Sequence, residues 1–196
     1  MIRYTEITRT AEVLKYGGVI VYPTDTAYGL GADATNPAAV QRVFDIKGRD
    51  RAKPIHVVVR DLVMAKSLVE FNPLAEKIFQ KLLPGPLTIV LPKKSHVLDL
   101  LTGGLPTLGI RVPNHPICLE LSQSVNFPYT ATSANLSGST TPYSPNEVTV
   151  QADFLLDGDT LPRVAPSTIV DLSDNEIKIL REGPVSAEKL YETAGA

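Results

Sequence analysis

Hydrophobic residues fall into short runs of strand length, separated by longer stretches with a helical period. Residues 17–22, G-G-V-I-V-Y, form a buried-strand pattern bounded by glycines and by Pro23. Residues 55–59, 87–91 and 108–112 are further apolar runs of the same kind. Residues 128–132, 154–156, 168–172 and 177–180 complete the predicted strands. Between them, Asn36-Pro37 marks a helix start, because proline fits the first turn, where its missing N–H costs nothing. The following segment places Val40, Val43, Phe44 and Ile46 mostly on one face. Residues 63–69, 74–83 and 116–124 also read as helices, the second ending at Pro84-Gly85-Pro86. Ser186 followed by Glu188 suits the N-terminus of a last helix, residues 186–194.

Strands interleaved with helices imply an α/β layer fold. Some strands follow one another without a helix, so the sheet is expected to be mixed, parallel and antiparallel. No internal repeat or linker interrupts the pattern, and residues 1–196 read as a single domain. Residues 136–145, L-S-G-S-T-T-P-Y-S-P, are the loosest in composition and read as a surface loop.

Composition narrows the function classes. A chain of 196 residues and 21.2 kDa folds to roughly 9,000 Å² of surface, against roughly 31,000 Å² extended, so a core needs no staples. The net charge of −2 argues against a protein coated in positive charge for bulk nucleic-acid binding. One cysteine, Cys118, excludes an internal disulfide framework and a cysteine-built zinc site; it reads as a small core residue. The N-terminal residues do not make a secretory signal, and no apolar run approaches a membrane span. A cytoplasmic protein is expected. The overall charge hides a basic cluster: residues 42–53 hold five basic residues and two acidic ones, whereas ten acids and four bases follow from Asn146 onward.

Common catalytic signatures are missing: no P-loop, no dinucleotide fingerprint after Gly29-Leu30-Gly31, no nucleophile elbow, and no histidine metal motif. Three other constellations stand out. The first is P-T-D-T-A-Y-G-L-G, residues 23–31, directly after a strand. Ligands in α/β sheets sit beyond strand ends, and Gly29 and Gly31 would let the backbone approach one. An ordinary turn capped by Thr and Asp is the competing reading. The second is K-G-R-D-R-A-K-P-I-H, residues 47–56. Its near-alternate cations can converge on a polyanion, each charge-assisted bond contributing about 1.5–3 kcal/mol; the competing reading is a solvated loop. The third is T-S-A-N-L-S-G, residues 132–138, whose small polar side chains suit phosphate or ribose. Arg111 lies inside an apolar strand, where it needs a carboxylate or phosphate, from a ligand or from an internal salt bridge.

Taken in order, P-T-D-T-x-Y-G-L-G, K-x-R, P-G-P-x-T, R-x-P, S-A-N-x-S-G, S-T-x-V-D and R-x-G resemble the YrdC-like family, the threonylcarbamoyl-AMP synthases, from about Gly17 to Gly183. The resemblance implies a twisted mixed sheet flanked by helices with a concave basic site. It implies a reaction of L-threonine, bicarbonate or CO₂, and ATP with Mg²⁺, giving threonylcarbamoyl-AMP and pyrophosphate. The product would pass to the tRNA threonylcarbamoyl-transferase machinery, for an adenosine beside the anticodon. By the same resemblance, Lys47 and Arg51 would hold the ATP phosphates with Arg49 beside them, Lys47 and Arg49 being the catalytic pair. Thr107, Ser133, Thr141 and Arg181 would contact the nucleotide, and Asn135 would order the serine loop. Thr24, His56, Arg111 and Ser167 would hold threonine, with Arg111 on its carboxylate. No dedicated metal ligands are expected; ATP oxygens and water would carry the ion. The chain resembles the short form that lacks a second domain, so the basic segment or residues 136–145 would serve as a lid. The rival class is a non-catalytic factor binding tRNA or double-stranded RNA. Against it stand the net charge and the 6% aromatic content, which leaves few stacking platforms.

Overall fold

A computed structural model describes residues 4–195. Nine strands form one mixed sheet: β1 Ile20–Pro23, β2 Tyr28–Gly31, β3 His56–Val58, β4 Leu87–Pro92, β5 Thr107–Arg111, β6 Tyr129–Ser133, β7 Phe154–Leu155, β8 Thr168–Asp171 and β9 Lys178–Arg181. Their order across the sheet is β7-β1-β2-β6-β3-β5-β4-β8-β9. Three pairs are parallel, β1–β7, β3–β5 and β4–β8, and the rest are antiparallel.

The helices are α1 Tyr4–Lys15, α2 Pro37–Lys47, α3 Leu62–Leu68, α4 Pro73–Leu82, α5 Asp99–Thr102, α6 Pro116–Ser124 and α7 Ala187–Ala194. Their starts follow from local chemistry. Asn36 accepts from the N–H groups of Ala38 and Ala39, Asp61 from Met64, Asn72 from Ala75 and Ser186 from Lys189.

Alternation along the strands separates two cores. Val19 and Val21 belong to the larger one, with residues of α2, α3, α4, α5 and α7. Ile20 and Tyr22 belong to the smaller one, with Ala11 and Leu14 of α1 and Cys118 and Leu121 of α6. Val58 of β3 and Tyr129 of β6 join this core, so α1 and α6 cover one end of the second face from β7 across to β3. The rest of that face stays open, and there the sheet carries polar side chains. Accessible surface is 9340 Å², close to the roughly 9,000 Å² expected for this mass.

Eight predicted strands and five predicted helices are present, with ends shifted by up to three residues. Four elements went unpredicted: α1, α5, β2 and a short 3-10 helix at Pro145–Glu147. Strand β2 lies inside the motif read as a loop. Its Gly29 faces Tyr22, whose ring would sit 2.8 Å from an added Cβ, so the space this glycine opens is filled by an aromatic side chain.

Candidate active site

The open half of the sheet forms a cleft of about 240 Å³. Eight of the residues singled out in the sequence line it: Thr24, Arg49, His56, Arg111, Ser133, Thr141, Ser167 and Arg181. They come from separate parts of the chain, and the sheet order assembles them. His56 pairs with Ala131 across β3 and β6, while Val58 lies beside Arg111 across β3 and β5. Of these rows His56, Ala131 and Arg111 line the cleft, while Val58 is buried beneath α6.

One wall is the serine loop. Lys47, 2% exposed, ends α2 and sends its ammonium into that loop. Nζ donates to the Ser133 carbonyl, to the Asn135 carbonyl at 2.8 Å and to Asn135 Oδ1 at 3.4 Å. Ser133 Oγ donates to Asn135 Oδ1 at 2.5 Å, and Asn135 Nδ2 donates to the Ser139 carbonyl at 2.6 Å. The Lys47 carbonyl accepts from Ser137 N–H, and the Pro142 carbonyl accepts from Tyr28 N–H. Residues 133–142 are thus tied at several points to α2 and β2. Burial, with Arg49 nearby, brings the Lys47 ammonium down to about 8.

The floor is cationic. Arg49 donates to the carbonyls of Lys53 and Pro54. Arg181 donates to the Ser167 carbonyl at 3.0 and 2.8 Å and to Ser167 Oγ at 3.1 Å. Burial lowers both guanidinium pKa values, with Arg111 adding to the effect on Arg181. No carboxylate pairs with either among the described residues. His56 lies among them. Burial first, then Arg181, Arg111 and Arg49, bring it down to about 4, so the ring is neutral at pH 7. Its Cδ2 would lie 2.4 Å from a Cβ on Gly109, so a side chain there would collide with the ring.

Arg111 differs from the other two arginines. Its Nη2 donates to Asp25 Oδ1 at 2.6 Å in an ion pair whose side chains are 11% and 9% exposed. Both competing readings of the first motif hold in part. Thr24 lines the cleft, yet its Oγ1 also closes a turn, accepting from Thr26 and Ala27 N–H and donating to the Ala27 carbonyl.

Four predicted residues do not line the cleft: Lys47, Arg51, Thr107 and Asn135. Lys47 and Asn135 stand behind its wall. Arg51 is exposed. Thr107 is at the start of β5, on the face of Gly109 and Arg111 by alternation. Sequence reasoning missed Tyr143, Tyr22 and Pro166, which also line the cleft. The Tyr143 hydroxyl donates to the Val164 carbonyl at 3.0 Å, joining the serine loop to residues 157–166. An aromatic residue inside an otherwise small and polar stretch was the available signal.

A family model for Sua5, YciO and YrdC proteins, described as "Telomere recombination", matches residues 12–183. The chain belongs to this family. A Methanocaldococcus jannaschii relative, provisionally named a threonylcarbamoyl-AMP synthase, is 39% identical over 178 residues, 89% of this chain and 84% of the relative. The threonylcarbamoyl-AMP synthase of Pyrococcus abyssi is 34% identical over 97% of this chain and 57% of its own length. The chain therefore spans just over half of that longer family member. The crystal structure of P. abyssi Sua5 complexed with L-threonine superposes with a TM-score of 0.93 at 33% identity, covering 100% of this chain and 59% of that one. Escherichia coli YciO, a family member of similar length, gives 0.87 at 29% identity, covering 96% and 94%. The family fold is the mixed sheet flanked by helices described above. No helix among the described residues is long and apolar enough to cross a membrane.

Proposed function

We propose that the chain is a nucleotidyltransferase that forms threonylcarbamoyl-AMP from L-threonine, bicarbonate and ATP. The observation that carries this reading is the cleft itself, where eight motif residues from separate segments meet around an uncompensated cationic floor. Two relatives carrying that synthase name support it, as does the L-threonine complex of a close structural match.

The threonine amine combines with bicarbonate to give a carbamate, releasing water. A carbamate oxygen attacks the α-phosphorus of ATP, and the bond to the β-phosphate oxygen breaks to release pyrophosphate. A carbamate is already an anionic nucleophile, so no strong general base is required. Catalysis is then positioning and charge stabilisation. Arg49 and Arg181 stabilise the triphosphate. Ser133 and Thr141 of the cleft contact the nucleotide, with Thr107 reaching it from the start of β5, and exposed Arg51 closes on the phosphates from the basic segment. Thr24, His56, Arg111 and Ser167 hold threonine. Neutral His56 offers a hydrogen bond without adding charge. Lys47 and Asn135 keep the serine loop in shape.

Mg²⁺ enters as the counter-ion of ATP and counts as part of the substrate. The side chains on the floor are cationic, and among the described residues no group of three His, Cys, Asp or Glu converges. The product would then serve tRNA modification by a partner transferase in the cytoplasm. An RNA-binding factor without catalysis is not favoured, because the relatives carry an enzyme's name.

The test is pyrophosphate release by the purified chain with MgATP, leaving out threonine or bicarbonate in turn. Release that requires both is the expected result. Folded protein that releases none with every component present would overturn the assignment.

A further inference from the structure

The three cleft arginines are not electrically equivalent. Arg49 and Arg181 bond to carbonyls and a hydroxyl and keep their full charge. Arg111 alone among them meets a carboxylate, Asp25 at 2.6 Å. Asp25 is not part of the cleft lining, whereas Arg111 is. Asp25 lies between Thr24 and Thr26, both of which line the cleft, and its own carboxylate is taken up by Arg111 and Asn114. Its second oxygen accepts from Asn114 N–H at 2.9 Å. One side chain from the β1–β2 turn thus holds both Arg111 and the chain leaving β5. Arg111 retains a buried Nε with no hydrogen-bond partner among the described residues. Thr26 Oγ1, at 3.4 Å from Nη2, completes the surroundings.

We infer that Asp25 is a positioning residue that determines which anion the Arg111 end of the cleft accepts. Its charge offsets that of Arg111; one oxygen holds the guanidinium and the other holds the Asn114 N–H of the chain leaving β5. What remains is directional donor capacity with little net charge. That suits the single carboxylate of a zwitterionic amino acid. A phosphate or pyrophosphate group carries more negative charge and gains most from uncompensated cations. It is drawn to Arg49 and Arg181. Asp25 thereby keeps polyphosphate out of the amino-acid end by withholding charge, a specificity that rests on a less favourable site for the wrong ligand. This inference takes the threonine end from the function proposed above.

The experiment measures binding of labelled L-threonine to the full chain without ATP, with inorganic pyrophosphate as competitor. The variants are Asp25→Asn, which keeps an acceptor facing Arg111 but removes the charge, and Asp25→Glu, which restores it. Wild-type protein is expected to bind threonine with little response to pyrophosphate. Asp25→Asn is expected to weaken threonine binding by roughly tenfold or more, the size of one lost charge-assisted contact. In that variant pyrophosphate should displace threonine, and Asp25→Glu should return both properties toward wild type. A folded Asp25→Asn protein with wild-type affinity and no pyrophosphate competition sinks the inference. So does weakened threonine binding that pyrophosphate still does not affect, because that is what a purely structural role would give. Wild-type protein that binds no threonine would instead remove the functional reading on which this one stands.

Discussion

In the serine-loop wall, the Lys47 ammonium meets two carbonyls and an amide oxygen, and Asn135 uses both ends of its side chain. Across the cleft, Arg49 and Arg181 find only carbonyls and a hydroxyl, with a neutral histidine between them. The first region is saturated by its own chain and acts as scaffold. The second keeps positive charge unspent, which costs folding energy but leaves the cleft ready for an anion. Stability and function should therefore separate when the two regions are altered independently.

The largest effect is expected at the wall. Lys47→Met removes the donor shared by Ser133 and Asn135 and leaves buried oxygens unpartnered, at a cost of about 3–5 kcal/mol. Denaturant midpoints would show it, and pyrophosphate release should be lost with it. A wild-type midpoint would mean that the wall does not depend on this lysine. At the floor, Arg181→Met should raise the KM for ATP by roughly 10–100-fold, the loss of one or two charge-assisted bonds. Its midpoint should move by less than about 1 kcal/mol, because relief of repulsion among the arginines offsets the bonds lost to Ser167. A large loss of stability with unchanged KM would reverse the division drawn between the two regions.

His56 sharpens the comparison through pH. Its folded value of about 4 lies below the ordinary 6.5. Between those values the unfolded chain binds the proton and the folded chain does not, so stability falls as pH drops through that window. Allowing for partial exposure, the loss between pH 7 and 4.5 is about 1–2 kcal/mol. Thermal unfolding of His56→Gln should show a correspondingly shallower acid slope. Parallel slopes for variant and wild type would contradict the burial of a neutral ring among cations. The smallest effect belongs outside both regions. Lys189 and Glu192 pair on the surface of α7, with side chains 54% and 68% exposed, and Glu192→Gln should leave the midpoint of a chemical melt unchanged.

Most elements of the fold could be read from local pattern. Strand β4 shows it: Leu87, Ile89 and Leu91 are all fully buried, and so is Thr88 between them. A continuous apolar run bounded by Gly-Pro was sufficient signal there. Helix α1 was legible in principle, since Ile7, Ala11 and Leu14 repeat at helical spacing and are buried. Strand β2 was not legible, because Y-G-L-G has turn composition and its glycines matter only once Tyr22 packs across them. At the site, the motifs located Thr24, Arg49, His56, Arg111, Ser133, Thr141, Ser167 and Arg181, all of which meet in one cleft. They could not tell a cleft-lining cation from a buried one. Lys47 and Arg49 are two residues apart on the chain, yet one faces the serine loop and the other the cleft.

By itself, then, the sequence determined where strands and helices lie and which segments carry the polar chemistry. Periodicity, caps and motif spacing are properties of neighbouring residues. Partner choice was decided only in three dimensions. Arg111 and Asp25 are 86 residues apart, as are Lys47 and Ser133. Their meeting requires β6 to insert between β2 and β3 in one register. A charged side chain takes its function from the groups that face it once water is excluded, and sheet order sets those neighbours.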